Sequence, residues 1–192
     1  MAKEKIKNSV DINIGSALKY PWQKMQRVFW YWLILIPIFG WFPLYGYMLD
    51  VVQSILKGND KELPKFGKYW PSFVQGFYVF IFAAIVGIVA NILIRIPIAG
   101  WVAYILLILV VPMLTVNYAA KRRFGAFFDV VFATKMVFGN FIEYIVLILK
   151  TIVATLFWLL CSIPIITMIW TLPAMQFSSQ FLLAQFYRKH HK

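Results

Sequence analysis

Apolar residues in this chain come in long runs separated by short polar stretches. The first run, 28–56, is interrupted at Pro37-Ile38-Phe39-Gly40-Trp41-Phe42-Pro43. Four more follow at 72–94, 96–120, 141–160 and 163–187. A helix needs ~20 apolar residues to cross a bilayer at ~1.5 Å per residue, and each run from the second onward meets that length. The expected fold class is all-α, a polytopic membrane helical bundle.

The distribution of basic residues decides how the first run is used. If it crosses once, Lys and Arg divide 7 against 11 between the two sides of the membrane. If it doubles back at Phe39-Gly40-Trp41, then 17 of the 19 fall on one side and Arg95 alone on the other. The second arrangement carries the asymmetry that orients membrane proteins, with the basic side in the cytoplasm. Pro and Gly close together permit such a reversal. Each arm has about 12–16 residues, or ~18–24 Å, less than the ~30 Å hydrocarbon core. The first hairpin is therefore expected to be short and broken, either re-entrant or two short spanning helices.

Three hairpins result, 28–56, 72–120 and 141–187, in one bundle over 28–187, with a basic segment at 1–27 and a basic tail at 188–192. Their far-side turns begin alike, Ile36-Pro37-Ile38, Ile96-Pro97-Ile98 and Ile163-Pro164-Ile165. The first two continue in parallel, Phe39-Gly40-Trp41 beside Ala99-Gly100-Trp101, which raises an internal repeat. The stretch from Asp11 to Tyr20 reads as a short amphipathic helix able to lie on the membrane surface. Gly58-Asn59-Asp60 suits a helix C-cap and turn. The linker 124–138 is amphipathic, with Phe127, Phe128, Val131 and Met136 expected toward lipid and Asp129 and Lys135 toward water.

Composition agrees. Apolar residues make up 62% and charged residues 14%, with a mean hydropathy of +0.75. Soluble domains hold about 45–50% and about 25%. Aromatics at 19%, eight of them Trp, fit interfacial belts. The net charge of +12 sits between apolar runs. It points to topogenic charge and anionic lipid headgroups rather than nucleic acid. The expected headgroup contacts are Lys57, Lys61, Lys65, Lys68, Lys121, Arg122, Arg123 and Arg188. The lone Cys161 excludes an intramolecular disulfide and a multi-cysteine metal site. No cleavable signal peptide is evident, so the first apolar run is expected to remain in the mature protein.

Charges inside apolar runs are costly and mark candidate sites. Asp50, Glu143 and Lys150 form the candidate intramembrane polar site, with Lys150 expected to face inward and pair with Asp50 or Glu143. Arg95 is expected to reach the far headgroups. Gln176 and Gln180 share a helix face suited to interhelical hydrogen bonds, and Ala83, Gly87 and Asn91 form a stripe suited to close helix packing. The two His are adjacent tail residues, and no Gly-rich phosphate loop is present. No catalytic group, metal or cofactor is expected.

Several stretches together resemble a known group. They are Asp11-Ile12 with Ala17 and Tyr20-Pro21, the run from Pro37 to Tyr47, and Gly58-Asn59-Asp60-Lys61-Glu62-Leu63-Pro64-Lys65-Phe66. Trp70, Phe73 and Gly76, then Ala126-Phe127-Phe128-Asp129 and the run from Cys161 to Tyr187, continue the likeness. The chain is similar to the uncharacterised prokaryotic membrane family called domain of unknown function 4013. That resemblance implies a compact multi-helix domain in a cell membrane and assigns no activity to any residue. The expected function is a non-enzymatic membrane scaffold or accessory subunit that meets anionic lipid and another membrane protein. The alternative is a transporter or channel for a small solute, ion or lipid, using a polar site near Asp50 and Lys150.

Overall fold

A computed structural model describes residues 12–23 and 25–191. The expectation for the basic stretch before Ile12, with Asp11 as helix start, lies outside them. The described residues form eight α-helices and no strand. They are α1 (Ile14–Lys19), α2 (Met25–Val28), α3 (Trp41–Leu56), α4 (Tyr69–Leu93), α5 (Ala99–Lys121), α6 (Val130–Gly139), α7 (Phe141–Cys161) and α8 (Met168–His190). The chain is an all-helical membrane bundle. Three helices, α4, α5 and α7, are long and apolar enough to cross a membrane. At 25, 23 and 21 residues they run ~31–37 Å. Exposed aromatics stand beside the turns, Trp41 at the first and Trp101 at the second, and the hydroxyl of the exposed Tyr69 donates to the Phe39 carbonyl of the first turn.

The fifth apolar run is placed differently from the others. α8 starts after a turn and a short 3-10 segment, Ile165–Thr167, and extends through His190. It carries Gln, Ser and a basic last turn, so it is not one of the apolar spans. It is the centre of the bundle instead. Phe181 through Tyr187 are buried one after another, the mark of a helix covered on every side. α3 and α7 pack along it, and α5 and the N-terminal segment close the ring. The last turn holds Arg188 and Lys189, so the basic tail expected at 188–192 is helical as far as His190.

The N-terminal segment is folded into the bundle rather than laid on a surface. Asn13 caps α1 through its side chain, which accepts from the Gly15 and Ser16 amides. Ile12, Ala17 and Tyr20 are buried against α7 and α8, with the Tyr20 ring tilted against that of Phe181. The Tyr31 hydroxyl donates to the Pro21 carbonyl at 3.0 Å, and the Tyr31 ring stacks on Phe177. The chain reaches the first turn through α2 and a seven-residue 3-10 helix, Phe29–Leu35. A 3-10 run of that length is uncommon. The first hairpin is thus short and broken, as its Pro and Gly content implied.

The first two far-side turns are the same structure sixty residues apart. The Ile36 amide donates to the Leu33 carbonyl at 3.1 Å, and Ile96 to Leu93 at 3.0 Å. The Phe39 amide donates to Pro37 and the Ala99 amide to Pro97, both at 2.6 Å, closing three-residue turns. At their apices Ile38 and Ile98 have φ of 62° and 54°, a costly region for a β-branched residue. Gly40 and Gly100 press on the carbonyls of Leu33 and Leu93, where an added Cβ would lie 1.9 Å away in each case. The third turn differs. The Thr167 amide and hydroxyl cap the Pro164 carbonyl, and no residue there takes positive φ. The repeat therefore holds for two of the three turns.

Close helix packing occurs at α3 and α4, not at the small stripe of α4. An added Cβ on Gly46 would meet the Ser72 carbonyl at 1.9 Å, and one on Gly76 would meet that of Phe42 at 1.8 Å. Each helix gives one glycine and one carbonyl to the other. Ala83, Gly87 and Asn91 instead lie exposed on the outer face of α4, and nothing stands within 4 Å of an added Cβ at Gly87.

Candidate functional site

Each charged residue inside the apolar runs has its own local partner. Asp50 lies two turns before the end of α3. Arg122 follows α5 in the left-handed conformation, φ 52°, which turns its side chain back toward α3. The Arg122 guanidinium donates to the Asp50 carboxylate at 2.6 Å. Glu143, in the first turn of α7, accepts from Lys189 at 2.6 Å and lies 3.0 Å from the His190 ring nitrogen. Lys150, the tenth residue of α7, donates to the Ile12 carbonyl at 2.5 Å. The expected pairing of Lys150 with Asp50 or Glu143 is therefore not formed. Lys150 faces the N-terminal segment, Asp50 the end of α5, and Glu143 the end of α8.

Buried polar groups add a second tie to the N-terminal segment. The Trp158 indole donates to the Ser178 hydroxyl at 2.9 Å, and Ser178 donates to the Ala17 carbonyl at 2.9 Å. Ser162 and Thr171 share a buried hydrogen bond at 2.6 Å near the far end of α7 and α8. Gln176 is exposed, while the side-chain carbonyls of Gln180 and Gln185 are buried without a hydrogen-bond partner among the described residues. The sequence pointed to the glutamines. The bonds it missed run through Ser178 and Trp158, whose only signal was an indole N–H in an apolar helix that had to find an acceptor.

α3, α5 and α8 end together on what is here the near side. The eight expected headgroup residues divide into two groups. Lys57, Lys61, Lys65, Lys68 and Arg123 are exposed, with no ion pair among the described residues. The others are tied down. Arg122 holds Asp50, and Arg188 donates to Asp60 and to the Ile55 carbonyl, both at 2.9 Å. Lys121 bonds Asp129 at 3.0 Å and lies over the Phe132 ring. That bond holds the Asp129 carboxyl below its ordinary range, helped by the Phe132 amide that Asp129 caps at the start of α6.

The linkers that carry these residues are packed elements. Gly58, at φ +93°, ends α3 in a reversal where the Asn59 amide reaches the Ser54 carbonyl. The chain then returns along α3, burying Leu63 and stacking Phe66 on Trp30. The 124–138 linker forms a 3-10 segment, Phe124–Phe128, and α6. Phe128 and Val131 face outward as expected, but Phe127 and Met136 are buried against the bundle. Phe127 stacks between Phe82 and Tyr118. This linker is apolar on two faces, and one of them is exposed at Val130, Val131 and Phe138.

Two cavities frame the possibilities. An apolar one of about 410 Å3 lies between the first hairpin and α8, lined by Trp41, Met48 and Pro173 among others. A basic one of about 360 Å3 lies among the near-side ends of α3, α5 and α8. Asp50, Glu143 and Lys150 line neither. Among the described residues no group of three or more His, Cys, Asp or Glu is placed to hold a metal ion.

No curated protein and no solved structure matches the chain. Residues 29–102 match the family described as Protein of unknown function (DUF4013). That segment runs from the 3-10 arm through the glycine contacts of α3 and α4 to the closing residues of the second turn. Over 29–102 the chain thus matches the family of unknown function that its sequence resembles.

Proposed function

We propose that this protein is a non-enzymatic scaffold or accessory subunit of a prokaryotic cell membrane, with its basic linkers and both termini in the cytoplasm. Its near-side rim holds anionic lipid headgroups, and the bundle meets another membrane protein. The observation that carries this reading is the division of the charges. Those inside the apolar runs are each satisfied by a local partner, while Lys57, Lys61, Lys65, Lys68 and Arg123 are exposed and have no ion pair among the described residues. Each such cation near an anionic surface contributes about 1 kcal/mol. The exposed apolar face of α6, beside Arg123, extends the same surface into the headgroup region.

A transport reading built on a shared Asp50 and Lys150 site draws no support from the geometry, because these residues face different neighbours and no cavity described above joins them.

The test is lipid retention. The delipidated protein in neutral detergent is offered phosphatidylglycerol and phosphatidylcholine, and bound lipid is counted by native mass spectrometry. Preferential retention of phosphatidylglycerol that weakens with salt is expected. The variant with Lys61, Lys65, Lys68 and Arg123 all changed to Gln should lose the preference. Equal retention of the two lipids by the unaltered protein overturns the proposal.

A further inference from the structure

The near-side cavity of about 360 Å3 is bounded by cations from three helix ends. α3 supplies Gln53 and, one residue past its end, Lys57. α5 ends on Lys121. α8 supplies Tyr187 and Arg188, and His191 follows it. Lys121 is held by Asp129, and Arg188 by Asp60 and the Ile55 carbonyl. Those acids and that carbonyl are not part of the lining, so they fix two cations in place without filling the space between them. Lys57, the third, is exposed and has no ion pair among the described residues.

Helix C-termini ordinarily disfavour anions, because their last carbonyls are free. Here many of those carbonyls are occupied. Gln53 accepts from the Lys57 amide, Ile55 from Gly58, Ser54 from Asn59, Tyr118 from Arg122, and Tyr187 from His191. What is left over is a donor. On the cavity lining, the Arg188 Nε is buried with no hydrogen-bond partner among the described residues. A buried guanidinium N–H without an acceptor is costly and marks an acceptor still to be supplied. Basic pockets between helices on the cytoplasmic side suit phosphorylated headgroups. Three cations around a small space suit a compact dianion with several oxygens better than a single carboxylate.

We propose that this cavity binds one terminal phosphate group, either the phosphomonoester of a lipid headgroup or free phosphate. The proposal rests on the reading of the near side as an anion-binding face, and it adds a defined site to a diffuse rim.

The experiment uses the full chain, delipidated in neutral detergent. Binding is followed by thermal midpoint with inorganic phosphate and with dioctanoyl phosphatidic acid. Sodium chloride at matched ionic strength and dioctanoyl phosphatidylcholine are the controls. Saturable stabilisation by phosphatidic acid, competed by inorganic phosphate, supports the site with lipid as the source. Stabilisation by inorganic phosphate alone supports it with free phosphate as the source. Lys57→Gln should weaken binding about tenfold or more, and Lys57→Arg should restore most of it. The Lys61, Lys65, Lys68 and Arg123 variant should bind phosphate within about twofold of the unaltered protein while losing its phosphatidylglycerol preference. The site is refuted if neither phosphate probe stabilises beyond its control, or if Lys57→Gln binds as well as the unaltered protein. In either case the rim is judged separately, by lipid retention.

Discussion

Single residues in this protein act mainly as ties between segments far apart in sequence. Ser178 is the clearest case. It sits on the central helix, accepts from Trp158 on α7 and donates to the Ala17 carbonyl in the N-terminal segment. Ser178→Ala removes both bonds and leaves a buried indole N–H and a buried carbonyl unpaired. A loss of about 2 kcal/mol is expected, read as a lower thermal midpoint. A midpoint unchanged by the substitution would show that the two partners find others. Asp129 makes a smaller tie with an identifiable pH signature. The Lys121 bond holds its folded pKa below the ordinary carboxylate value. Its contribution is therefore in place at neutral pH and is lost as the pH falls through that lowered value. Asp129→Asn should flatten the acid limb of the stability curve and change little at neutral pH. The effect is small, since the carboxylate is exposed to solvent.

At the scale of elements, the turns and one helix pair carry the sharpest consequences. Gly76 touches the Phe42 carbonyl so closely that a methyl group has no room. Gly76→Ala should cost about 1–3 kcal/mol or more by forcing α3 and α4 apart. Ile98→Gly should act in the opposite direction. Ile98 is 83% exposed, so little packing is lost, while its φ of 54° is one that glycine adopts freely. A gain of about 1 kcal/mol is expected in a thermal melt of solubilised protein, against an unchanged or lowered midpoint if the turn is not strained.

These elements show how far the sequence could be read. Run length and Pro and Gly positions located the helices and the turns between them, because those features act locally along the chain. The Schellman turn at Gly58 was legible for the same reason. The inward docking of the N-terminal segment was not, since it depends on two backbone carbonyls meeting Lys150 and Ser178 across more than a hundred residues. Nor could the Asp50 partner be read. The left-handed cap that turns Arg122 back onto α3 has no glycine or asparagine to announce it. The small stripe on α4 matched a packing motif, yet the contact formed at Gly46 and Gly76, where each glycine lies opposite a carbonyl. Spacing alone did not separate the two.

As a whole, the molecule has two unlike ends. Near the linkers it is built up by α6 and the last turns of α3 and α8. Toward the turns its helices present apolar, exposed outer faces. Among the described residues, exposed basic side chains stand toward the turns at Arg95 and at Lys19, which lies beside Cys161, Thr167 and Trp170, and at the near end at Lys57. This polarity makes sense if lipid covers the exposed faces of α4, α5 and α7 and the linkers share one compartment.

Side-specific cysteine labelling tests that arrangement most directly. In a Cys161→Ser background, single cysteines are placed at Lys61, at Lys135 and at Ile98, then exposed to a membrane-impermeant maleimide in intact cells and in inverted vesicles. Positions 61 and 135 should label only in inverted vesicles, and position 98 only from outside the cell. Labelling of 61 and 135 from opposite sides, or of 98 together with them, would contradict the account.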